Sequence, residues 1–177
     1  MPLPLRPERP ADHPAVRDLH RRAFGPDHGP VVAALADALR PASALSLVAD
    51  EQGLPVGHIM FTPALLDAPR RLVDVQVLSP LAVSPDHQKR GIGSALVRHG
   101  LDALAERGAP LVFLEGDPAY YSRLGFTPGA ELAFRKPSLR IPDPAFQVHR
   151  LPAHEPWMTG TLVYPHTFWQ HDCVGLR

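Results

Sequence analysis

The stretch from Val73 to Gly108, VDVQVLSPLAVSPDHQKRGIGSALVRHGLDALAERG, constrains this chain more than any other. Val73, Val75 and Val77 alternate with Asp74 and Gln76, the period of a half-buried strand. Pro80 has no N–H to give to a ladder and is expected to mark an edge or a bulge. Leu81, Ala82 and Val83 resume the strand, and Ser84-Pro85-Asp86 is turn chemistry. Gln88-Lys89-Arg90-Gly91-Ile92-Gly93-Ser94 then leads into a helix. Ile92, Leu96, Gly100, Ala103 and Leu104 fall on one face of it, Arg98, Asp102 and Glu106 on the other, and Gly108 stops it. Leu111–Leu114 follows as an apolar run of buried-strand type. A strand, a helix and a strand in one sheet make a right-handed crossover, so these two strands are expected to be parallel neighbours.

The loop at the start of that helix is suited to an anion. The first turn of a helix has unpaired N–H groups, and its dipole favours negative charge. Gly91 and Gly93 carry no Cβ, so a phosphate can come close to the backbone. Lys89 and Arg90 add positive charge; the chain has two lysines against sixteen arginines, and one of the two is here. Two glycines are also what an ordinary strand–turn–helix needs, and neither G-x-x-x-x-G-K-[ST] nor G-x-G-x-x-G is present, since position 96 is Leu96.

Gln88-Lys89-Arg90-Gly91-Ile92-Gly93 does resemble the Q/R-x-x-G-x-G/A signature of the GNAT superfamily of acyl-CoA-dependent N-acyltransferases. Leu81-Ala82-Val83-Ser84-Pro85 before it and Ser94-Ala95-Leu96 after it look like the same family. A second block, Leu114-Glu115-Gly116-Asp117-Pro118-Ala119-Tyr120-Tyr121-Ser122-Arg123-Leu124-Gly125-Phe126, is similar to the Y-x-x-x-G-F segment after the fifth strand of these enzymes, in the form of the YhbS-like branch. The resemblance covers about residues 3–165. It implies an α/β GNAT fold: a mixed central sheet in which two parallel strands splay apart near Pro80 around the pantetheine arm of the cofactor. It further implies that Leu81, Ala82 and Val83 pair with the pantetheine amides, and that Gln88, Lys89, Arg90, Gly91, Ile92, Gly93 and Ser94 hold the pyrophosphate of acetyl-CoA.

Composition bounds the rest. A chain of 177 residues, 45% hydrophobic and 20% charged, is expected to form a single domain over residues 1–177 with a substantial core. A formal net charge of zero argues against nucleic acid or a membrane surface as partner. One cysteine, Cys173, allows no intrachain disulfide. MPLPLRPERP has no apolar leader and no run reaches membrane-spanning length, so the expected location is the cytoplasm.

In chain order, Leu3–Arg6 is expected as a short strand. Asp12 is expected to cap a helix running to about Phe24, with Pro14 in its first turn. Phe24-Gly25-Pro26-Asp27-His28-Gly29-Pro30 is expected to break it, and Val31–Arg40 to form a second helix. Leu45–Ala49 and Val56–Pro63 read as a hairpin around Glu51-Gln52-Gly53. Asp117-Pro118 is a cap with proline at the first helical position, opening a short helix that Gly125 ends. Phe126 begins a strand or its approach. Arg135–Pro144 reads as a loop with solvated basic residues, Phe146–Leu151 and Gly160–Tyr164 as a last pair of strands, and the tail from His166 carries no signal.

The resemblance places the loop between the first two helices over the acceptor pocket, making Phe24 and His28 candidate substrate residues; core packing and an exposed loop are their plain alternatives. Tyr121 stands where the family usually has its general acid, and its O–H would protonate the departing thiolate; plain packing, with Tyr120 as the polar one of the pair, is its alternative. The base is not fixed by the family. Glu115, ending the buried strand, is the candidate, beside the simpler role of a strand-end cap. His58 is expected to be packed or exposed. The spacings His149/His154 and His166/His171 fit no metal pattern, and no metal is expected. Cys173 lies outside both motifs and is not expected to act as a nucleophile. The reading is an N-acetyltransferase that moves an acetyl group from acetyl-CoA directly to a primary amine, of a small molecule or of a protein N-terminus or side chain. Its rivals are a non-catalytic acyl-CoA-binding regulator and a nucleotide-phosphate module.

Overall fold

The structure, a computed structural model, describes residues 1–175. In chain order its elements are β1 (Leu5–Pro7), α1 (His13–Leu39), β2 (Leu45–Glu51), β3 (Leu54–Asp67), β4 (Leu72–Val83), α2 (Ile92–Glu106), β5 (Leu111–Glu115), α3 (Pro118–Tyr121), β6 (Thr127–Pro128), β7 (Phe134–Arg135), β8 (Phe146–Arg150), β9 (Gly160–Val163) and α4 (His166–Gln170). They fall into two compact units. One holds Met1–Thr62 and Leu78–Gly100; the other holds Pro63–Val77 and the chain from Leu101 on. Among the described residues no helix is long and apolar enough to cross a membrane.

In the first unit β1, β2 and β3 pair antiparallel in sequence order. The β2–β3 hairpin turns at Gln52 (φ 54°) and Gly53 (φ 89°), two consecutive left-handed residues, the geometry that matches the twist of its strands. The core is built on Leu19, Leu39, Leu47, Ile59, Phe61 and Leu96, all 2% exposed or less. Helix α2 is seated on β3 at two glycines. A Cβ on Gly57 would stand 3.0 Å from both Ile92 and Leu96, and one on Gly100 would stand 2.2 Å from the Phe61 ring. No larger residue fits at Gly100 without moving a fully buried phenylalanine.

Residues 24–30, expected to be a loop, are nearly all helical. Only Gly25 leaves the helix (φ 80°, ψ 179°), and the chain resumes it at once. Pro26 stands at the first position of the resumed helix, where its fixed φ suits the helix and its missing N–H would have had no partner. The two halves fold tightly enough that a Cβ on Gly29 would meet the Arg21 backbone at 2.5 Å. Asp12 does not cap α1 with its side chain. Its carboxylate is taken by Arg6 at 2.7 Å and by the Arg9 N–H at 2.7 Å, and a charged partner outweighs a neutral cap.

A buried polar chain ties this unit together. Arg40 grips Glu8 with two nitrogens, at 3.0 and 3.1 Å. Ser46 Oγ donates to Glu8 Oε2 at 2.7 Å and lies 2.9 Å from His58 Nε2, which lies on a ring whose Nδ1 is 2.8 Å from His20 Nε2. Because the carboxylate only accepts, the one hydroxyl proton points to Glu8, so Ser46 accepts from His58 Nε2–H. His58 Nδ1 and His20 Nε2 share the next hydrogen bond of the chain. His20 Nδ1, the end of the chain, is buried without a partner. Burial, with the neighbouring His58, pulls His20 down to about 3. Burial works against the Glu8 carboxylate, yet His58, Arg40 and Ser46 together hold it well below the usual range. The sequence left His58 between packed and surface positions; it is fully buried.

In the second unit β4 and β5 are parallel, as the crossover requires, through Gln76↔Val112 and Val77↔Phe113. Strand β4 itself continues to Val83 through a cis Ser79–Pro80 peptide, so Pro80 does not interrupt it. Strand β5 is flanked on its other side by β8, antiparallel over Leu111–Glu115, and β8 in turn pairs β6. Phe113 packs between Phe146, stacked at 5.7 Å, and Phe134, edge-on at 5.2 Å. The expected last pair of strands exists as two strands that do not pair with each other. Strand β8 joins β5 and β6, and β9 joins β7 and the end of β3. Nor is the 135–144 segment simply solvated: Lys136 Nζ donates to Ile141 O and Asp143 Oδ1, each at 2.6 Å.

The His20 shift makes a stability prediction. The folded ring refuses a proton that the unfolded chain takes up below about pH 6.5, so stability falls as pH drops from there toward 3. His20 alone contributes a loss of about 2 kcal/mol between pH 7.5 and pH 5, and the depressed Glu8 adds to it at lower pH. Urea unfolding across that range measures it; equal stability at the two pH values contradicts the buried neutral His20.

Candidate functional site

The loop from Ser84 to Ser94 is fixed from three sides. Ser84 N–H donates to Val56 O at 2.8 Å, joining the end of β4 to β3. His87 Nε2 lies 2.8 Å from Glu51 Oε2. Gln88 Nε2 donates to Val83 O at 3.1 Å, folding the loop back on the strand it left. Lys89 (φ 61°) and Gly91 (φ 79°) are both left-handed, with Arg90 between them. Left-handed residues alternating with others turn successive backbone N–H groups toward one concavity, an anion nest. The first helical bond runs from Ala95 N to Gly91 O, so the N–H groups of Ile92 and Gly93 precede the helix's own acceptors. Gln88, Lys89, Arg90 and Gly91 are exposed, and a Cβ on Gly91 would meet nothing within 4 Å. That is open space facing N–H groups, a helix dipole and two cations, the arrangement a pyrophosphate needs. Of the preceding strand residues, Ala82 is buried, and Leu81 and Val83 are half-buried.

In the second unit Asp117 accepts from Ala119 N at 2.9 Å and opens α3 with Pro118 at its first position, as the sequence indicates, and Gly125 (φ 85°) closes the turn after it. Tyr121 is at the end of α3. Its ring lies over Gly116, where a Cβ would stand 2.5 Å from Tyr121 Cε2, and edge-on to Tyr120 and Phe126 at 4.9 and 5.6 Å. Burial pushes the Tyr121 phenol above the ordinary tyrosine range, so it stays protonated at neutral pH. Its hydroxyl has no hydrogen bond among the described residues.

Glu115, the last residue of β5, is half-buried and held at both oxygens. Tyr164 O–H donates to Oε2 at 2.7 Å and the Gly175 N–H to Oε1 at 2.9 Å. Burial raises the Glu115 carboxyl, while Tyr164, Gly175 and Arg140 pull the other way. Phe24 is 39% exposed and stacks on His20 at 6.0 Å. His28 is exposed in the first turn of the resumed helix, not in a loop. Three features escaped the sequence reading: the left-handed Lys89, the Gly116–Tyr121 contact, and the tail's hold on Glu115. Gly116 directly before the Asp117-Pro118 cap was the one available signal, since glycine there leaves room for a ring.

Residues 4–129 match the family described as the acetyltransferase (GNAT) domain. The N-acetyltransferase YjhQ of Escherichia coli K12 is 38% identical over 121 residues, 68% of this chain and 67% of that protein. The N-acetyltransferase YhbS of the same organism is 37% identical over 152 residues, 83% of this chain and 86% of that protein. The crystal structure of E. coli YhbS in complex with CoA superposes with a TM-score of 0.84 at 35% identity, covering 95% of this chain and 92% of that one. A GNAT acetyltransferase from Brucella melitensis in complex with acetyl-CoA gives 0.75 at 32% identity, covering 94% and 97%.

The nest makes a binding prediction. Gly91→Val puts a β-branched residue at φ 79°, a conformation such residues avoid. The loop must relax out of the nest, and CoA affinity measured by calorimetry falls by about tenfold or more; a folded variant with unchanged affinity contradicts the assignment. With the family model matched over residues 4–129, and with E. coli YhbS matched in sequence over most of the chain and in structure, the chain belongs to the GNAT acetyltransferase family and has its mixed-sheet fold.

Proposed function

We propose that this protein transfers the acetyl group of acetyl-CoA directly to a primary amine, with both substrates bound at once. The nest formed by Lys89 and Gly91 at the start of α2 is the observation that carries the reading. Its residues suit a pyrophosphate, and related structures hold CoA and acetyl-CoA. In this reading Gln88 to Ser94 bind the pyrophosphate, and the backbone of Leu81, Ala82 and Val83 pairs with the pantetheine amides. Acetyl-CoA supplies the activated acyl group, and no metal is needed.

The protein's own groups move the protons. Glu115 takes one from the acceptor ammonium, directly or through water, so that the amine attacks as a free base. Its raised affinity for a proton suits that task. Tyr121 gives one to the sulfur as the C–S bond breaks, and its unoccupied, protonated hydroxyl supports the role. Phe24 and His28 border the acceptor, and their exposure is consistent with contact to a substrate. Small amines, protein N-termini and lysine side chains all meet the chemical requirement.

Initial rates with acetyl-CoA and any amine found to be turned over give intersecting lines if transfer is direct; parallel lines indicate an acetyl-enzyme and contradict it. Tyr121→Phe keeps the ring over Gly116 and removes only the O–H. It lowers kcat by about 10²-fold with little change in CoA affinity, whereas unchanged kcat removes Tyr121 from the mechanism.

A further inference from the structure

The C-terminal segment is fastened with more precision than a tail requires. Its start, Tyr164, stacks on Phe168 at 5.0 Å and sends its hydroxyl to Glu115 Oε2 at 2.7 Å. Arg140 lies over the Trp169 ring at 5.8 Å and reaches Asp172 Oδ1 at 3.1 Å. Val174 is fully buried. The segment then ends with the Gly175 N–H on Glu115 Oε1 at 2.9 Å. Only glycine suits that last contact. Its φ is 89°, and a Cβ would stand 2.9 Å from the Arg140 Cβ and 3.1 Å from Arg140 O. Both ends of the segment therefore converge on one carboxylate, one donor to each oxygen.

We propose that Tyr164 and the Gly175 N–H are positioning groups for the acetyl-transfer reaction: they hold the Glu115 carboxylate in one orientation, each oxygen keeping a second lone pair for the acceptor ammonium. The proposal rests on Glu115 being the base. A carboxylate that only capped a strand end would be served by local backbone. This one instead draws its donors from 49 and 60 residues away. Glu115 is also half-exposed, so a substrate or a water can reach it. The proton accounting is simple. The ammonium N–H bond breaks, Glu115 gains the proton, and the nitrogen lone pair is released for attack; Tyr164 keeps its own proton throughout.

Among the described residues the charged and titratable groups facing Glu115 are Tyr164, directly after β9, and Arg140, whose guanidinium is shared with Asp172. The Tyr164 phenol, buried and beside the carboxylate, is pushed well above its ordinary value and acts only as a donor. Its bond favours the ionised Glu115. Removing it raises the carboxyl further, and a base that must be ionised then loses activity at a higher pH.

The test compares wild type with Glu115→Gln, Tyr164→Phe and Gly175→Val. Carbon-13 NMR follows the Glu115 carboxyl titration, and kcat is measured against pH with acetyl-CoA and the best-used member of a primary-amine panel (an N-terminal alanyl peptide, spermidine and an aminoglycoside). Tyr164→Phe is expected to move both the Glu115 titration and the acidic limb of kcat upward by about one pH unit. Gly175→Val is expected to move them the same way, and Glu115→Gln to lower kcat about 10²-fold or more. If Glu115→Gln retains full activity, the base assignment fails and the proposal with it. If Glu115→Gln is inactive while Tyr164→Phe and Gly175→Val keep wild-type profiles, the base stands and the positioning role is overturned. Should one positioning variant not fold, the other decides alone. If no panel amine is turned over, the enzymatic reading and this proposal fall together.

Discussion

The close approach of α2 to β3 sets the frame for the loop that leads into α2. Gly57 on the strand and Gly100 on the helix let the two backbones come together; a Cβ at Gly100 would collide with Phe61, and one at Gly57 would press on Ile92 and Leu96. A helix seated this tightly has a fixed N-terminus. The nest at Lys89 and Gly91 is therefore presented by a rigid support, with the far end of the loop tied to Val83 and Glu51. Rigid placement matters because an anion site made of backbone N–H groups has no long side chains to adapt; its geometry must exist before the ligand arrives.

Around that frame the protein spends buried polar groups freely. The chain from Glu8 through Ser46 and His58 to His20 joins the residue after β1 to β2, β3 and α1. In the other unit the Glu115 carboxylate joins β5 to the end of the chain. Each arrangement takes ionisable groups at least partly out of water, so partners are supplied by distant segments. The first ends in a bare nitrogen far inside; the second stays within reach of solvent. That difference is why Glu115, and not His20, is the better candidate for moving a substrate proton.

Legibility in the sequence followed the range of the physics. The strand–loop–helix around Gly91 and Gly93 was readable because its cause is local: alternation, two glycines and helical spacing. The Asp117-Pro118 cap and the Gly125 stop were readable for the same reason. Phe24 to Pro30 reads as a break because it holds two glycines and two prolines, but Pro26 is equally suited to begin a helix, and only Gly25 leaves the helical conformation. The pairing of β8 and β9 could not be read, because each strand finds its partner through contacts distant in sequence. The tail had no visible pattern because its placement depends on Tyr164, Asp172 and Gly175 reaching Arg140 and Glu115, a relation no period or motif encodes. Of the proposed site residues, the nest was legible by resemblance and explained by φ angles; the surroundings of Tyr121 and Glu115 emerged only with the fold.

The central claim is that the backbone at the start of α2 receives the pyrophosphate of acetyl-CoA. Titrating the nitrogen-15-labelled protein with CoA tests it most directly, residue by residue. The account predicts that the amides of Lys89, Gly91, Ile92 and Gly93 shift most, and that inorganic pyrophosphate alone reproduces those shifts in part. Saturating CoA binding that leaves these four amides unmoved while others shift would contradict it.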